Sequence, residues 1–164
     1  MTTLPDLAGK SVLITGAARR IGATVARALH TRGASIAIHY RGSAEAALAL
    51  RDSLNAARPN SAIALQAELG EVGALTPLIK QTVEAFGRLD ILINNASSFY
   101  PTPLGDITEA HWDDLMASNL KAPLFLAQAA APELRRTQGL ILNMVDIHAV
   151  RPLKRHTVYC IAKA

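Results

Sequence analysis

The sequence predicts an α/β fold of the doubly wound kind, a parallel sheet with helices on both faces. Short apolar runs alternate along the chain with longer segments of helical spacing. The first of these runs ends in a glycine-containing turn that opens at once into a helix. Half of the residues are apolar but only 4% are aromatic, which is the composition of helices packed on a buried sheet.

Each element can be read in turn. SVLIT (residues 11–15) is a short apolar run and reads as a buried strand. Residues 21–33 carry apolar side chains at helical spacing and stop at Gly33. SIAIHY (35–40) is a second strand, and 44–57 is an Ala- and Leu-rich helix closed by Pro59-Asn60. AIALQ (62–66) is a third strand, 76–86 is a helix closed by Gly87, and DILINN (90–95) is a fourth strand. Residues 96–107 are broken by prolines and glycine and read as a loop. Thr108 is a candidate cap for a helix starting near Glu109, and a long helix covers roughly 119–135. GLILNMV (139–145) is a fifth strand, and 157–164 begins another helix. No internal repeat, linker or low-complexity segment interrupts this order, so residues 1–164 read as one domain. The last residues fall inside a helix with no cap and no return strand, so a further carboxy-terminal portion is expected.

Composition narrows the function. The formal charge is +4, mildly basic and far from a nucleic-acid-binding signature. No apolar run reaches the ~18–20 residues that span a bilayer. The amino terminus lacks the pattern of a secretory leader. Cys160 is the only cysteine, so no internal disulfide can form. His30, His111 and His148 lack metal-ligand spacing, and no metal is expected. A soluble cytoplasmic protein without nucleic-acid or membrane partners is the expectation.

The turn TGAARRIG (15–22) lies where a dinucleotide fold binds a diphosphate. Gly16 permits a positive φ, Gly22 permits close packing of the helix on the sheet, and the first helical N–H groups face the phosphates. The second strand ends in HYRGSAEAA (39–47), with no carboxylate before Glu45. An acidic residue at that place would bind a ribose 2′-hydroxyl, whereas His39, Tyr40, Arg41 and Ser43 can donate to a 2′-phosphate. NADP(H) is therefore expected over NAD(H). Further along, YCIAK places Tyr159 and Lys163 four residues apart, on one face of a helix. An ammonium near a phenol favours the phenolate, so a lowered tyrosine pKa is expected.

Taken together, the glycine turn, the NNA run at 94–96 and Tyr-x-x-x-Lys resemble the short-chain dehydrogenase/reductase family, with its Rossmann-type, three-layer NAD(P)-binding domain. NAARPNSAI (55–63), NNASSFYPTPL (94–104) and NMVD (143–146) are similar to its pteridine reductase branch, and the likeness runs from Val12 to Lys163. Most members carry a serine where Asp146 stands and a glycine where Arg20 stands.

The resemblance implies a catalytic group of Asp146, Tyr159 and Lys163, with Asn119 helping to hold Lys163 through water. Gly16, Arg20, Ile21 and Gly22 would hold the cofactor's phosphates, and His39, Tyr40, Arg41 and Ser43 its 2′-phosphate. Glu68 and Leu69 would border the adenine. Asn95, Ala96, Ser97 and Met144 would line the rest of the cofactor, together with Tyr159 and Lys163. Arg20, Ser97, Phe99, Asp146, Leu153 and Tyr159 would meet the substrate, with Phe99 stacked on a pterin or folate ring. The implied reaction is NADPH-dependent hydride transfer to a C=N bond, in a protein that is a homotetramer at full length. Two other readings stay open: a reductase of carbonyls such as 3-oxoacyl ketones, and an inactive NADP-binding fragment.

Overall fold

A computed structural model describes residues 6–164. Residues 1–5, the start of the stretch read above as lacking a leader, lie outside the described residues. The five strands are β1 (Ser11–Ile14), β2 (Ser35–Tyr40), β3 (Ala62–Gln66), β4 (Ile91–Asn94) and β5 (Leu140–Asn143). All pair in parallel, in the order β3-β2-β1-β4-β5. The order reverses at β1, so the carboxyl ends of β1 and its neighbours form the crevice in which such sheets bind ligands.

Side chains alternate between the faces of a strand, and this builds two apolar layers. Val12, Ile14, Ile36 and Ile38 meet Ala26 of helix α1 (Arg20–Thr31) and Ala47, Leu50 and Leu54 of α2 (Ala44–Ala57). Leu13, Ala37 and Leu92 point the other way, toward Leu75, Leu78 and Ile79 of α3 (Val72–Phe86) and Leu126, Ala130 and Leu134 of α5 (Ala122–Thr137). This is the three-layer Rossmann-type architecture. Burial on both faces explains why the inner strands read as unbroken apolar runs. β5 differs: as the edge strand it leaves Leu140 52% and Leu142 43% exposed.

α2, β2 and β3 occupy the spans that the sequence predicts. Two helices do not. α3 begins at Val72 rather than residue 76 and carries Pro77 within it, at the loss of one backbone hydrogen bond. The helix expected to start near Glu109 is α4 (Glu109–Met116), but the long helix expected over 119–135 opens as a π-helical turn (Ala117–Lys121) and continues as α5. Thr108 caps α4 reciprocally: its hydroxyl accepts from the His111 N–H, and the His111 ring accepts from the Thr108 N–H. The π turn carries Asn119 inward to 7% exposure. The last helix, α6 (Thr157–Lys163), seats Val158, Tyr159 and Cys160 against Leu115 of α4.

β1, β4 and β5 are shorter than read, because their final residues leave the ladder to serve the crevice. β5 is positioned by Gly139. Its N–H donates to the Leu134 carbonyl while the next N–H, of Leu140, donates to the Asp90 carbonyl. A Cβ at Gly139 would stand 2.2 Å from that Asp90 oxygen. Gly139→Ala should therefore lower the unfolding free energy by ~1–3 kcal/mol, read as a fall in the urea midpoint. An unchanged midpoint would mean that this close approach is not a constraint.

Candidate active site

The crevice is held open by a clasp between β1 and β4. The Thr15 hydroxyl accepts from the N–H groups of Asn95 and Ala96, both at 2.9 Å. The Asn95 side-chain amide donates back to the Thr15 carbonyl at 2.8 Å and to the Gly16 carbonyl at 3.2 Å. The glycine turn and the asparagine run are thereby locked together. Gly16 has φ +61°, and a Cβ there would stand 3.0 Å from the Ala96 Cα. A Cβ on Gly22 would lie 2.6 Å from the Gly16 carbonyl oxygen. Both positions need glycine, one for its conformation and one for its lack of a side chain.

Arg20 occupies the place where glycine is usual and keeps the glycine conformation, with φ +49°. Left-handed backbone at a bulky residue stores strain, which clusters at functional sites. Arg19 has no side-chain cap bond to α1. The first N–H groups of α1, those of Arg20, Ile21 and Gly22, lack intrahelical partners by construction and open into a cleft of about 590 Å³. The cleft is lined along its length by Arg19, Arg20, Tyr40, Arg41, Ser43, Glu68 and Leu69.

At the far end, Ser43 caps α2 without using its hydroxyl. The Arg41 guanidinium lies 3.9 Å from Glu68 and 3.6 Å from Asp114, so it is held by two carboxylates at the cleft mouth. His39 corrects the expectation of a phosphate donor. It is 1% exposed. Its Nδ1 accepts from the Gly16 N–H at 3.0 Å, and its Nε2 meets the Ala67 carbonyl at 3.1 Å. Both ring nitrogens are occupied by backbone groups, and none is left for a ligand.

Outside the residues that line this cleft, the Tyr159 hydroxyl donates to the Asp146 carboxylate at 2.7 Å. The same carboxylate accepts from the His148 N–H at 2.9 Å. That bond, and then the one from Tyr159, hold the Asp146 carboxyl below its ordinary range. The Tyr159 phenol moves opposite to expectation and is pushed up to about 12, first by burial and then by the Asp146 carboxylate. Lys163 does not reverse this. Its ammonium stands 5.7 Å from the centre of the Tyr159 ring and donates to the Met144 carbonyl at 3.1 Å, and burial lowers its own pKa.

Phe99 is 53% exposed. Its ring centre lies 4.8 Å from that of Tyr159, edge to face, and 4.6 Å from that of His156, nearly parallel. The Ser97 hydroxyl donates to the Asn119 Oδ1 at 2.7 Å, and the Asn119 amide donates to the Ser98 and Leu115 carbonyls. Asn119 therefore braces the Ser97–Ser98 loop directly. Leu153 packs in the small apolar cluster beneath Tyr159. No group of His, Cys, Asp and Glu suited to a metal ion exists among the described residues.

A profile of the family described as short chain dehydrogenase matches residues 10–164. The chain belongs to the short-chain dehydrogenase family. It is 39% identical to pteridine reductase 1 of Leishmania tarentolae, over 99% of this chain and 69% of that protein. It is 37% identical to versicolorin reductase stcU of Emericella nidulans, over 93% of this chain and 58% of that protein. Its identity to the 3-oxoacyl-[acyl-carrier-protein] reductase FabG of Staphylococcus aureus is also 37%, over 84% of this chain and 56% of that protein. The chain thus spans somewhat more than half the length of the last two relatives. No helix among the described residues is long and apolar enough to cross a membrane.

Within this family frame, sequence reasoning passed over Thr15 and Asp114. Thr15 opens the glycine motif, and its position ahead of Gly16 was the available signal. Asp114 had none, because its pairing with Arg41 is made only by folding.

Two measurements follow. Arg20→Gly should relieve the left-handed strain and raise stability by up to ~1 kcal/mol, seen as a higher Tm; a lower Tm would place the side chain in a stabilising contact. Asp146→Asn should move the Tyr159 ionisation down from about 12, because the carboxylate that raises it is gone. A near-ultraviolet titration reads this, and an unshifted phenol would contradict the assigned cause.

Proposed function

We propose that this chain is the cofactor-binding and catalytic portion of an NADPH-dependent pteridine reductase, which transfers a hydride to a C=N bond of a pterin, dihydropterin or dihydrofolate. The observation that carries the reading is the Asp146 carboxylate bonded to the Tyr159 hydroxyl at 2.7 Å, beside the half-exposed ring of Phe99. A serine there could only polarise a carbonyl. An ionised carboxylate can take a proton from water and relay it to the phenol, which suits an addition that must protonate nitrogen. The likeness to the Leishmania tarentolae enzyme across 99% of this chain supports the same reading.

The residues present suit NADPH. The unpaired N–H groups of Arg20, Ile21 and Gly22 face a diphosphate. Arg41 and the unbonded Ser43 hydroxyl suit a 2′-phosphate, and no carboxylate follows β2 before Glu45. Bound NADPH would supply the hydride. Phe99 holds one face of the flat substrate and Ser97 its edge. Tyr159 keeps its proton throughout the neutral range and gives it to the ring nitrogen. The adjacent carboxylate disfavours a lasting phenolate, so the proton is replaced through Asp146, whose side chain is 30% exposed to water. One hydride on carbon and one proton on nitrogen complete the addition. Lys163 keeps positive charge behind the phenol.

The proposal extends to a cytoplasmic homotetramer. Leu120, Leu124 and Ile161 are 49%, 62% and 49% exposed on the π turn, α5 and α6, apolar side chains that a second copy of the chain could cover.

A second reading, reduction of a ketone, is favoured by the 37% identity to 3-oxoacyl and versicolorin reductases. NADPH oxidation with dihydrobiopterin, dihydrofolate and 3-oxoacyl ketones separates the two. Turnover of the pterins supports the proposal, and turnover of ketones alone replaces it with the second reading. Tyr159→Phe should lower kcat by ~100-fold or more and leave the Kd for NADPH within about threefold; full activity in that variant would remove Tyr159 from the chemistry.

A further inference from the structure

His39 stands at the junction of three strand ends. It precedes the last residue of β2, and its backbone carbonyl accepts from the Ala17 N–H at 2.9 Å. Its ring then takes the preceding N–H, that of Gly16, at 3.0 Å on Nδ1 and reaches Ala67, just past β3, at 3.1 Å with Nε2. An amide N–H can only donate and a carbonyl can only accept. Nδ1 must therefore be bare and Nε2 must carry the proton, so the partners alone determine a neutral imidazole of one tautomer. The residue is 1% exposed. Burial keeps the ring neutral against the pull of the nearby Glu68 carboxylate.

The consequence concerns the phosphate turn. The N–H groups of Gly16 and Ala17 are both turned back onto His39, and the residues that follow them along the turn, up to Arg20, Ile21 and Gly22 at the start of α1, line the cleft. We propose that His39 is the positioning residue of the dinucleotide turn, the bare Nδ1 of its neutral imidazole accepting from the Gly16 N–H and holding the turn in place so that the α1 amides meet the cofactor's diphosphate already ordered. This rests on the nucleotide-binding reading above and adds a residue that touches no ligand.

An asparagine at this position keeps an acceptor near Nδ1 but is too short for Ala67. A glutamine keeps a donor near Nε2 but offers Gly16 nothing. Both lose similar packing, so a difference between them reports the Gly16 bond rather than general loosening. In fluorescence titrations with NADPH, His39→Asn should stay within about threefold of the natural protein, and His39→Gln should bind about tenfold or more weakly. Equal losses in the two variants would overturn the proposal. A measurement on the unaltered protein decides independently of how the variants fold: the nitrogen chemical shifts of His39 at neutral pH should report a bare Nδ1 and a protonated Nε2. The other tautomer, or an imidazolium, would overturn it. Absence of NADPH binding by the natural protein would sink the nucleotide reading together with the ligand half of this proposal, while the tautomer would still decide whether His39 braces Gly16.

Discussion

Parallel pairing of β1 on both of its edges is the constraint from which the rest of this molecule follows. A parallel pair cannot be closed by a tight turn, so each strand must be followed by a crossover helix, and the crossovers cover both faces of the sheet. With β2 on one side of β1 and β4 on the other, the chain leaves β1 and β4 in diverging directions, and a crevice opens between their ends. Thr15 and Asn95 close the base of that crevice with four hydrogen bonds between strand ends. Every residue assigned a chemical role here lies on a segment that departs from this edge of the sheet or packs beside it.

The chemistry at one end of the crevice comes from burial acting on two groups of opposite kind. Removal from water disfavours the charged form of each, so the Tyr159 phenol is pushed up and the Lys163 ammonium is pushed down. Asp146 reinforces the first shift and opposes the second. The outcome is a tyrosine that holds its proton firmly beside a partly exposed carboxylate. Such a phenol is a proton donor that must be refilled, in contrast to one made acidic by a lysine alone.

Much of this was legible in the residues. α2, β2 and β3 follow from their sequence spans because Pro59-Asn60 and the glycines punctuate apolar runs of unambiguous period. Gly16 and Gly22 were legible because only glycine tolerates what their positions demand. The π turn at the head of the long helix was not: nothing in ASNLK breaks the helical period, and the turn arises where Asn119 is drawn inward by Ser97 and Ser98. The role of His39 was hidden for the same reason. A histidine at a strand tip reads as a donor, and only the partners 23 and 28 residues away reveal that both nitrogens are already taken. The Tyr159 shift was misjudged because four-residue spacing places Lys163 on the right face but says nothing of its distance from the hydroxyl.

The account depends most on a carboxylate, rather than a hydroxyl, standing against the Tyr159 phenol. Asp146→Ser tests it directly, with kcat/KM compared for a dihydropterin and a ketone. The account predicts that pterin reduction falls by ~100-fold or more while any ketone reduction is kept or rises. Pterin turnover undiminished by the serine would contradict it.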